Sequence, residues 1–95
     1  MIKEARPWDT ADYLNSEEDI IGYLDAVLEE NDPALLYVAL GNVARARGMT
    51  QLSKDTGITR EGLYKALTAE SNPGFETLQK IVGALGYRFT LVKTA

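Results

Sequence analysis

The chain has 95 residues and a mass of 10.5 kDa, which is enough for one domain with a single modest core. It contains no cysteine and no histidine, so the sequence excludes disulfide scaffolds, thiol or Ser–His catalysis, and metal sites built on these residues. It has no apolar stretch long enough to span a membrane and no apolar signal-peptide core. We therefore expect a cytoplasmic protein that is not an enzyme and that needs no metal or cofactor.

The net charge of −4 is the sum of two halves with opposite sign. Residues 1–32 contain ten acidic and two basic residues, a net charge of −8. Residues 33–95 contain four acidic and eight basic residues, a net charge of +4. This separation predicts two surfaces that bind different kinds of partner.

The first third of the chain predicts an arm followed by an acidic helix. Residues 1–15 have no regular hydrophobic period, so we expect an extended or loosely ordered arm. Ser16 is a good N-cap, and the three acidic residues after it suit the positive end of the helix dipole. One apolar stripe at helical spacing follows, formed by Ile20, Tyr23, Leu24, Val27 and Leu28.

Two more helices of similar length are predicted further along. An N-cap aspartate followed by proline predicts a helix over residues 33–47, and Gly48 ends it. The composition of residues 68–74 predicts a loop, and a fifth helix is predicted over residues 75–85. The apolar positions of this fifth helix are Phe75, Leu78, Ile81, Val82 and Leu85.

Between these helices, two short helices are predicted to meet at Gly57, where a tight turn needs a left-handed backbone. Thr50 is expected to cap the first, and Thr59 the second, which runs to about Leu67. Ser53 is small enough to let the two helices cross closely. This pattern is typical of the helix-turn-helix, in which the second helix enters the major groove of DNA; the alternative is an ordinary helical turn in a small bundle.

The start of the second helix carries side chains suited to base edges. Arg60 can donate two hydrogen bonds to guanine and Glu61 can accept one from cytosine, while residues of the first helix suit phosphates. Gly62 is unusual inside a helix, and is explained either by close approach to DNA or a neighbouring helix, or by crowding against the core. The predicted DNA-binding residues are Thr50, Gln51, Lys54, Thr59, Arg60, Glu61, Tyr64 and Lys65.

Residues 87–93 alternate in the manner of a β-strand. A single strand cannot satisfy its own backbone groups, so we predict that it pairs with the same strand of a second copy. The predicted dimer residues are Tyr87, Phe89 and Leu91. The alternative is that this segment packs on its own bundle as a terminal extension.

Nearly the whole chain, about residues 9–90, resembles the HigA-like antitoxins of the Xre/Cro–CI helix-turn-helix superfamily. The matching motifs lie at residues 9–14, 16–20, 32–35, 44–51, 59–67, 72–73 and 77–78. The resemblance implies a five-helix Cro/CI-like bundle with a C-terminal strand paired across a homodimer. It also implies an antitoxin of a type II toxin–antitoxin module that represses its own operon and binds a RelE/ParE-like toxin. Two positions depart from the pattern: Gln51 lies six residues before Gly57, where glutamine eight residues before is common, and Gly62 replaces the usual alanine.

The acidic N-terminal third then predicts the toxin-binding surface, because toxins of this class act on nucleic acid or its complexes and are expected to be basic. Aromatic anchors and clustered carboxylates suit such a partner. The predicted toxin-binding residues are Trp8, Tyr13, Glu17, Glu18, Asp25 and Glu29. Alternatively, Trp8 folds onto the domain and the acidic run at 17–19 only compensates the helix dipole. Two rival functions are a phage-type or regulatory repressor without a toxin and an interaction module that has lost DNA binding.

Overall fold

The computed structural model of the protein describes residues 10–95. Over these residues the fold is all-helical, with five α-helices and a short 3₁₀ helix at Thr10–Tyr13. The predicted all-α class and the number of helices are confirmed. The α-helices are α1 (Glu17–Glu29), α2 (Pro33–Arg47), α3 (Met49–Thr56), α4 (Arg60–Ala66) and α5 (Phe75–Ala84).

Three helices begin where the sequence predicts a capping side chain. The Ser16 hydroxyl accepts the Asp19 N–H at 3.1 Å, and the Asp32 carboxylate accepts the Ala34 N–H at 3.1 Å. The Thr59 hydroxyl accepts a backbone N–H of α4 at 3.0 Å. Each bond satisfies a backbone donor that the first turn of a helix leaves without a partner.

The predicted cap of α3 is wrong. The N-cap of this helix is Gly48, no side chain caps it, and Thr50 lies within the first turn. The φ angle of Gly48 is 114°, a backbone conformation that favours glycine. The chain therefore changes direction within one residue, and α3 begins immediately after α2 ends.

The core lies where α2, α3, α4 and α5 meet. Its largest fully buried side chains are Leu40, Val43, Leu63 and Ile81. Gly41 allows the end of α4 to approach α2, since a Cβ at Gly41 would lie 3.0 Å from the Leu67 carbonyl oxygen. The core thus holds the two short helices rigidly against the longer ones.

The prediction of an extended arm is wrong for residues 10–14. The 3₁₀ helix packs against α2, and Leu14 is buried in the core. The apolar side chain of Leu14 anchors this segment to the core, although residues 10–14 have no hydrophobic period that would predict a helix. The predicted arm residues 1–9 lie outside the described residues.

The predicted C-terminal strand is absent from residues 10–95, where the structure contains no strand at all. Gly86, with φ 96°, reverses the chain after α5, and the Tyr87 N–H donates to the Val82 carbonyl at 3.0 Å. Tyr87 and Phe89 then pack against the core of their own bundle. A ladder needs a second strand, and the described part of the chain has none to offer, so the residues remain extended without a strand partner.

Candidate DNA-binding and partner-binding surfaces

The turn between α3 and α4 is held by side-chain hydroxyls as well as by a glycine. Gly57 has a left-handed backbone with φ 76°. The Ser53 hydroxyl donates to the Ile58 carbonyl at 2.6 Å, and the Thr56 hydroxyl accepts the Ile58 N–H at 3.1 Å. Ser53 therefore does more than allow close packing, because it bonds directly to the residue after the turn. These bonds set the angle at which α4 leaves α3.

The exposed side of α4 consists of four side chains that the sequence assigns to DNA binding: Arg60, Glu61, Tyr64 and Lys65. Leu63, on the opposite side, is fully buried. The Arg60 guanidinium lies 6.0 Å from the centre of the Tyr64 ring, a distance at which the cation and the ring attract each other. The exposed side of this short helix thus presents two cations, a carboxylate and a phenol together to solvent.

Crowding explains the glycine inside α4. A Cβ at Gly62 would lie 3.0 Å from Ile58 Cγ2 and 3.1 Å from the Thr59 hydroxyl oxygen. Both distances are tighter than ordinary van der Waals contacts, and the second atom is the helix cap itself. The structure thus favours crowding over close approach to DNA.

On α3, Thr50, Gln51 and Lys54 are all exposed, as the predicted phosphate contacts require. The Gln51 amide, however, donates to the Asp55 carboxylate at 2.9 Å. That bond uses one of the two amide hydrogens and holds the amide beside a carboxylate, which repels a phosphate. Thr50 and Lys54, four residues apart and so on one side of the helix, are the better placed pair.

The outer surface of α1 combines carboxylates with exposed apolar side chains. This helix contains five acidic residues and no basic one. Glu18, Asp25 and Glu29 are exposed, and helical spacing places them on the same side as Ile21 and Leu28, which are 53% and 46% exposed. Leu28 was expected to be part of the buried stripe, and Ile21 was not predicted as a surface residue. Ile21 lies one residue off the buried stripe, and this position is the signal that could have identified it.

Glu17 differs from the other predicted toxin-binding carboxylates, because it is bound within the fold. Its carboxylate forms a 2.7 Å ion pair with Arg47 at the end of α2 and accepts a hydrogen bond from the Tyr87 hydroxyl. Arg47 also donates to the Leu85 carbonyl at 3.1 Å and lies 5.7 Å from the centre of the Tyr87 ring. We call Glu17, Arg47 and Tyr87 the clasp, since they join α1, α2 and the segment after α5.

The clasp changes the acidity of its phenol. Burial raises the pKa of Tyr87 above 10.0, and the hydrogen bond and negative charge of Glu17 raise it further, while Arg47 acts in the opposite direction. The phenol therefore remains protonated and donates to Glu17 at neutral pH.

The remaining predicted residues are separate from these surfaces. Tyr13 is 56% exposed in the 3₁₀ helix, and Trp8 lies outside the described residues. Tyr87 and Phe89, predicted at a dimer interface, face their own bundle, whereas Leu91 is 98% exposed. Among residues 10–95, no helix is long and apolar enough to cross a membrane.

The chain is similar to known proteins over nearly its whole length. A family model described as "Probable addiction module antidote protein" matches residues 4–93. The chain belongs to this antidote family. An uncharacterized protein of Haemophilus influenzae (strain ATCC 51907 / DSM 11121 / KW20 / Rd) is 46% identical over 89 residues, which cover 94% of this chain and 92% of the relative. No solved structure matches.

Membership of the antidote family implies a toxin partner, and it agrees with the antitoxin half of the resemblance found in the sequence. The match includes both the acidic α1 and the α3–α4 pair, so the two surfaces belong to one family unit.

Proposed function

We propose that this protein is the antitoxin of a type II toxin–antitoxin module in the cytoplasm, which binds operator DNA as a homodimer and represses its own operon. In the same proposal it neutralises a basic toxin of the RelE/ParE-like class. The observation that carries the DNA-binding half is the exposed side of α4, which consists of the four side chains predicted to reach DNA. The family description supports the antitoxin half.

In this proposal, side chains of α4 contact the edges of the DNA bases and side chains of α3 contact the phosphates. The fork of Arg60 suits the two acceptors of guanine, and Glu61 suits the amino donor of cytosine. Thr50 and Lys54 lie on the exposed side of α3, where a hydroxyl and an ammonium suit phosphate oxygens. The two helices carry three basic and two acidic residues, a modest net positive charge. We therefore expect electrostatic attraction to phosphates to contribute to binding together with contacts to the bases, and not to replace them.

The whole-chain charge of −4 is compatible with DNA binding because the acids are concentrated elsewhere. All five charged residues of α1 are acidic. Salt at physiological strength screens exposed charges over about 8 Å, so carboxylates farther than that from the DNA oppose binding only weakly.

The toxin is assigned to the outer surface of α1. Ile21 and Leu28 supply apolar contact, and Glu18, Asp25 and Glu29 supply negative charge around it. Such a mixed surface suits a basic protein with an apolar patch, since the charges accelerate association and the apolar contacts lower dissociation. Glu17 is assigned to the fold instead, because the clasp holds it.

Homodimer formation supplies the affinity that one short recognition helix lacks. Two linked modules that reach half-sites one helical turn apart bind as a pair, and their combined affinity exceeds that of either module.

Fluorescence anisotropy on the DNA upstream of the gene tests the DNA-binding half. We expect the purified protein to prefer this DNA over a scrambled sequence of equal length, and to lose the preference after combined Arg60→Ala and Lys65→Ala substitutions. Lys80→Ala, which removes an exposed basic side chain of α5, is the matched control and should leave the preference intact. Equal affinity for both sequences in the wild type would refute the DNA-binding proposal.

Copurification with the product of the neighbouring small gene tests the antitoxin half. A stable complex with a basic protein supports it. Operator binding without such a complex indicates a plain repressor, and a complex without operator binding indicates an interaction module.

A further inference from the structure

A groove lies where α1 ends and where α2 and α5 begin. Its volume is about 370 Å³, and its lining is mainly apolar, including Leu28, Leu36, Tyr37, Phe75 and Phe89. The Phe75 and Phe89 rings lie 5.4 Å apart, centre to centre, yet Phe75 remains 58% exposed and Leu28 remains 46% exposed. An aromatic ring and a leucine of the same groove therefore face water.

The end of α1, which forms one side of this groove, carries charges that are unfavourable for a helix end. Glu29 is the last residue of α1, Glu30 is its C-cap, and the last turn of this helix contains no basic residue. The C-terminus of a helix is the negative end of its dipole, where acidic side chains are disfavoured and basic ones preferred. By contrast, α2 ends with Arg45 and Arg47. Departures from such local preferences are expected where a helix end serves binding.

We propose that the toxin anchors here: one large apolar side chain of the toxin enters the groove against Phe75, and a lysine or arginine beside it binds Glu29 and Glu30. This inference rests on the antitoxin role in the proposed function and defines where on the chain the toxin is held. The cation supplies the positive charge that the end of α1 lacks, and the apolar side chain removes the exposed ring from water.

The groove is continuous with the outer surface of α1 that is assigned to the toxin. Leu28 belongs to both, because it lies on the exposed side of α1 and also lines the groove. A partner that covers Leu28 therefore reaches the groove directly. The groove volume lies near the lower end of the roughly 300–1,000 Å³ of small-molecule pockets, which suits one large side chain. A pocket filled by one anchor side chain is typical of the residues that dominate protein–protein affinity.

The charges at this end of α1 favour a basic partner over a second copy of this chain. Among the described residues, the groove lining contains no basic side chain and one acidic one, Asp32. The Asp32 carboxylate caps α2 and is balanced by the positive end of that helix, so Glu29 and Glu30 are the carboxylates available to a partner. A two-fold interface centred on the groove would bury the same patch of both copies and bring these carboxylates toward their own counterparts.

Removal of the exposed ring tests the apolar contact. Isothermal titration calorimetry of the full chain with the purified product of the neighbouring small gene measures the dissociation constant, which Phe75→Ala should raise at least about tenfold. The matched control is Leu35→Ala, which removes a 40% exposed leucine of α2 that does not line the groove, and it should raise the constant less than about twofold. Both side chains are largely exposed, so circular dichroism should show the wild-type fold in both variants.

Charge reversal at the C-cap of α1 should change stability and toxin binding in opposite directions. Glu30→Lys places a cation at the negative end of the helix, so the melting temperature should rise by about 1–5 °C. The same cation repels the basic side chain of the toxin, so the dissociation constant should rise at least about fivefold at low salt. Glu70→Lys, an equal change of charge in the loop before α5, should leave both quantities close to those of the wild type. Damage to the fold would lower the melting temperature instead.

Photo-crosslinking identifies the occupant of the groove. With Phe75 replaced by the photoreactive p-benzoylphenylalanine, illumination of the complex should join the chain to the product of the neighbouring gene. Mass spectrometry should map the adduct to a peptide of that product in which a lysine or arginine neighbours a large apolar side chain. An adduct between two copies of this chain would assign the groove to a homodimer and overturn the inference.

The outcomes separate this inference from the wider proposal. A wild type that does not bind the product of the neighbouring gene overturns both the antitoxin role and the inference. Binding that survives Phe75→Ala, or that Leu35→Ala weakens equally, overturns the inference alone and leaves the toxin on the rest of the α1 surface. A Glu30→Lys protein that binds as tightly as the wild type shows that no toxin cation lies at the end of α1, and it also overturns the inference.

Discussion

The exposed sides of α4 and α1 differ in how much of their surface is available to a partner. On α4, Arg60 and Tyr64 contact each other within one helix. On α1, the carboxylate of Glu17 reaches residues 30 and 70 positions away in the chain, while exposed apolar side chains lie between the remaining acids. Local geometry therefore governs the α4 surface, and long-range contacts determine which carboxylates of α1 remain available. Charge alone does not identify a binding residue on α1.

The largest expected effect on stability comes from removing the side chain that anchors α4 to the core. Leu63→Ala leaves a cavity at a fully buried position and should lower the free energy of unfolding by about 2–5 kcal/mol in urea denaturation. Tyr64→Ala, at the 45% exposed neighbour, is the control and should cost much less stability. Similar losses in the two variants would show that α4 does not depend on one buried side.

Arg60 and Lys54 separate base reading from phosphate attraction. Arg60→Ala should cost about 1–3 kcal/mol of operator affinity and relax the preference at one base pair. Lys54→Ala should weaken binding to all sequences alike and reduce the salt slope by about 1. Affinity measured against single-base operator variants over a salt series checks both. The division of roles fails if the two substitutions give the same specificity profile.

The α1 surface is tested by reversing two of its charges. Combined Asp25→Lys and Glu29→Lys substitutions should slow toxin association by about tenfold or more at low salt, because the steering charge changes sign. Operator affinity should not fall. The control reverses two acids outside α1, Glu70 and Glu76, and should leave the association rate much closer to that of the wild type. Stopped-flow kinetics with the purified toxin measures the rates, and equal slowing by both pairs would place the toxin elsewhere.

The clasp gives the smallest effect and a distinctive pH dependence. The Tyr87 hydroxyl bond should contribute up to about 1 kcal/mol relative to Tyr87→Phe at pH 8. Because folding raises the pKa of Tyr87 above 10.0, this advantage is fully present below pH 10 and is lost as the pH rises through the folded-state value. The other four tyrosines are present in both proteins, so their titration cancels from the difference. Urea denaturation of the wild type and of Tyr87→Phe, at pH 8 and above pH 10, measures the difference between their free energies of unfolding. A difference that grows with pH would contradict the assigned bond.

By itself, the sequence determined the helices, three of their caps, the glycine turn at position 57 and the side chains on the exposed side of α4. These features depend on contacts within a few residues, such as the bond from Gly62 to Thr59, and residue type and spacing encode them directly. The start of α3 was missed by two residues because Gly48 and Thr50 are both acceptable N-caps, and only the path out of α2 chooses between them.

The tertiary structure alone decided the assignments that need distant partners. It placed Leu14 in the core, bound Glu17 to Arg47 and Tyr87, and left Leu28 and Phe75 half exposed although both fit an apolar stripe. It also packed Tyr87 and Phe89 against the core of their own bundle, where the sequence pattern predicts a β-strand. The physical reason is that hydrophobic periodicity specifies which side of a helix is apolar, whereas burial along that side depends on where the neighbouring elements begin and end.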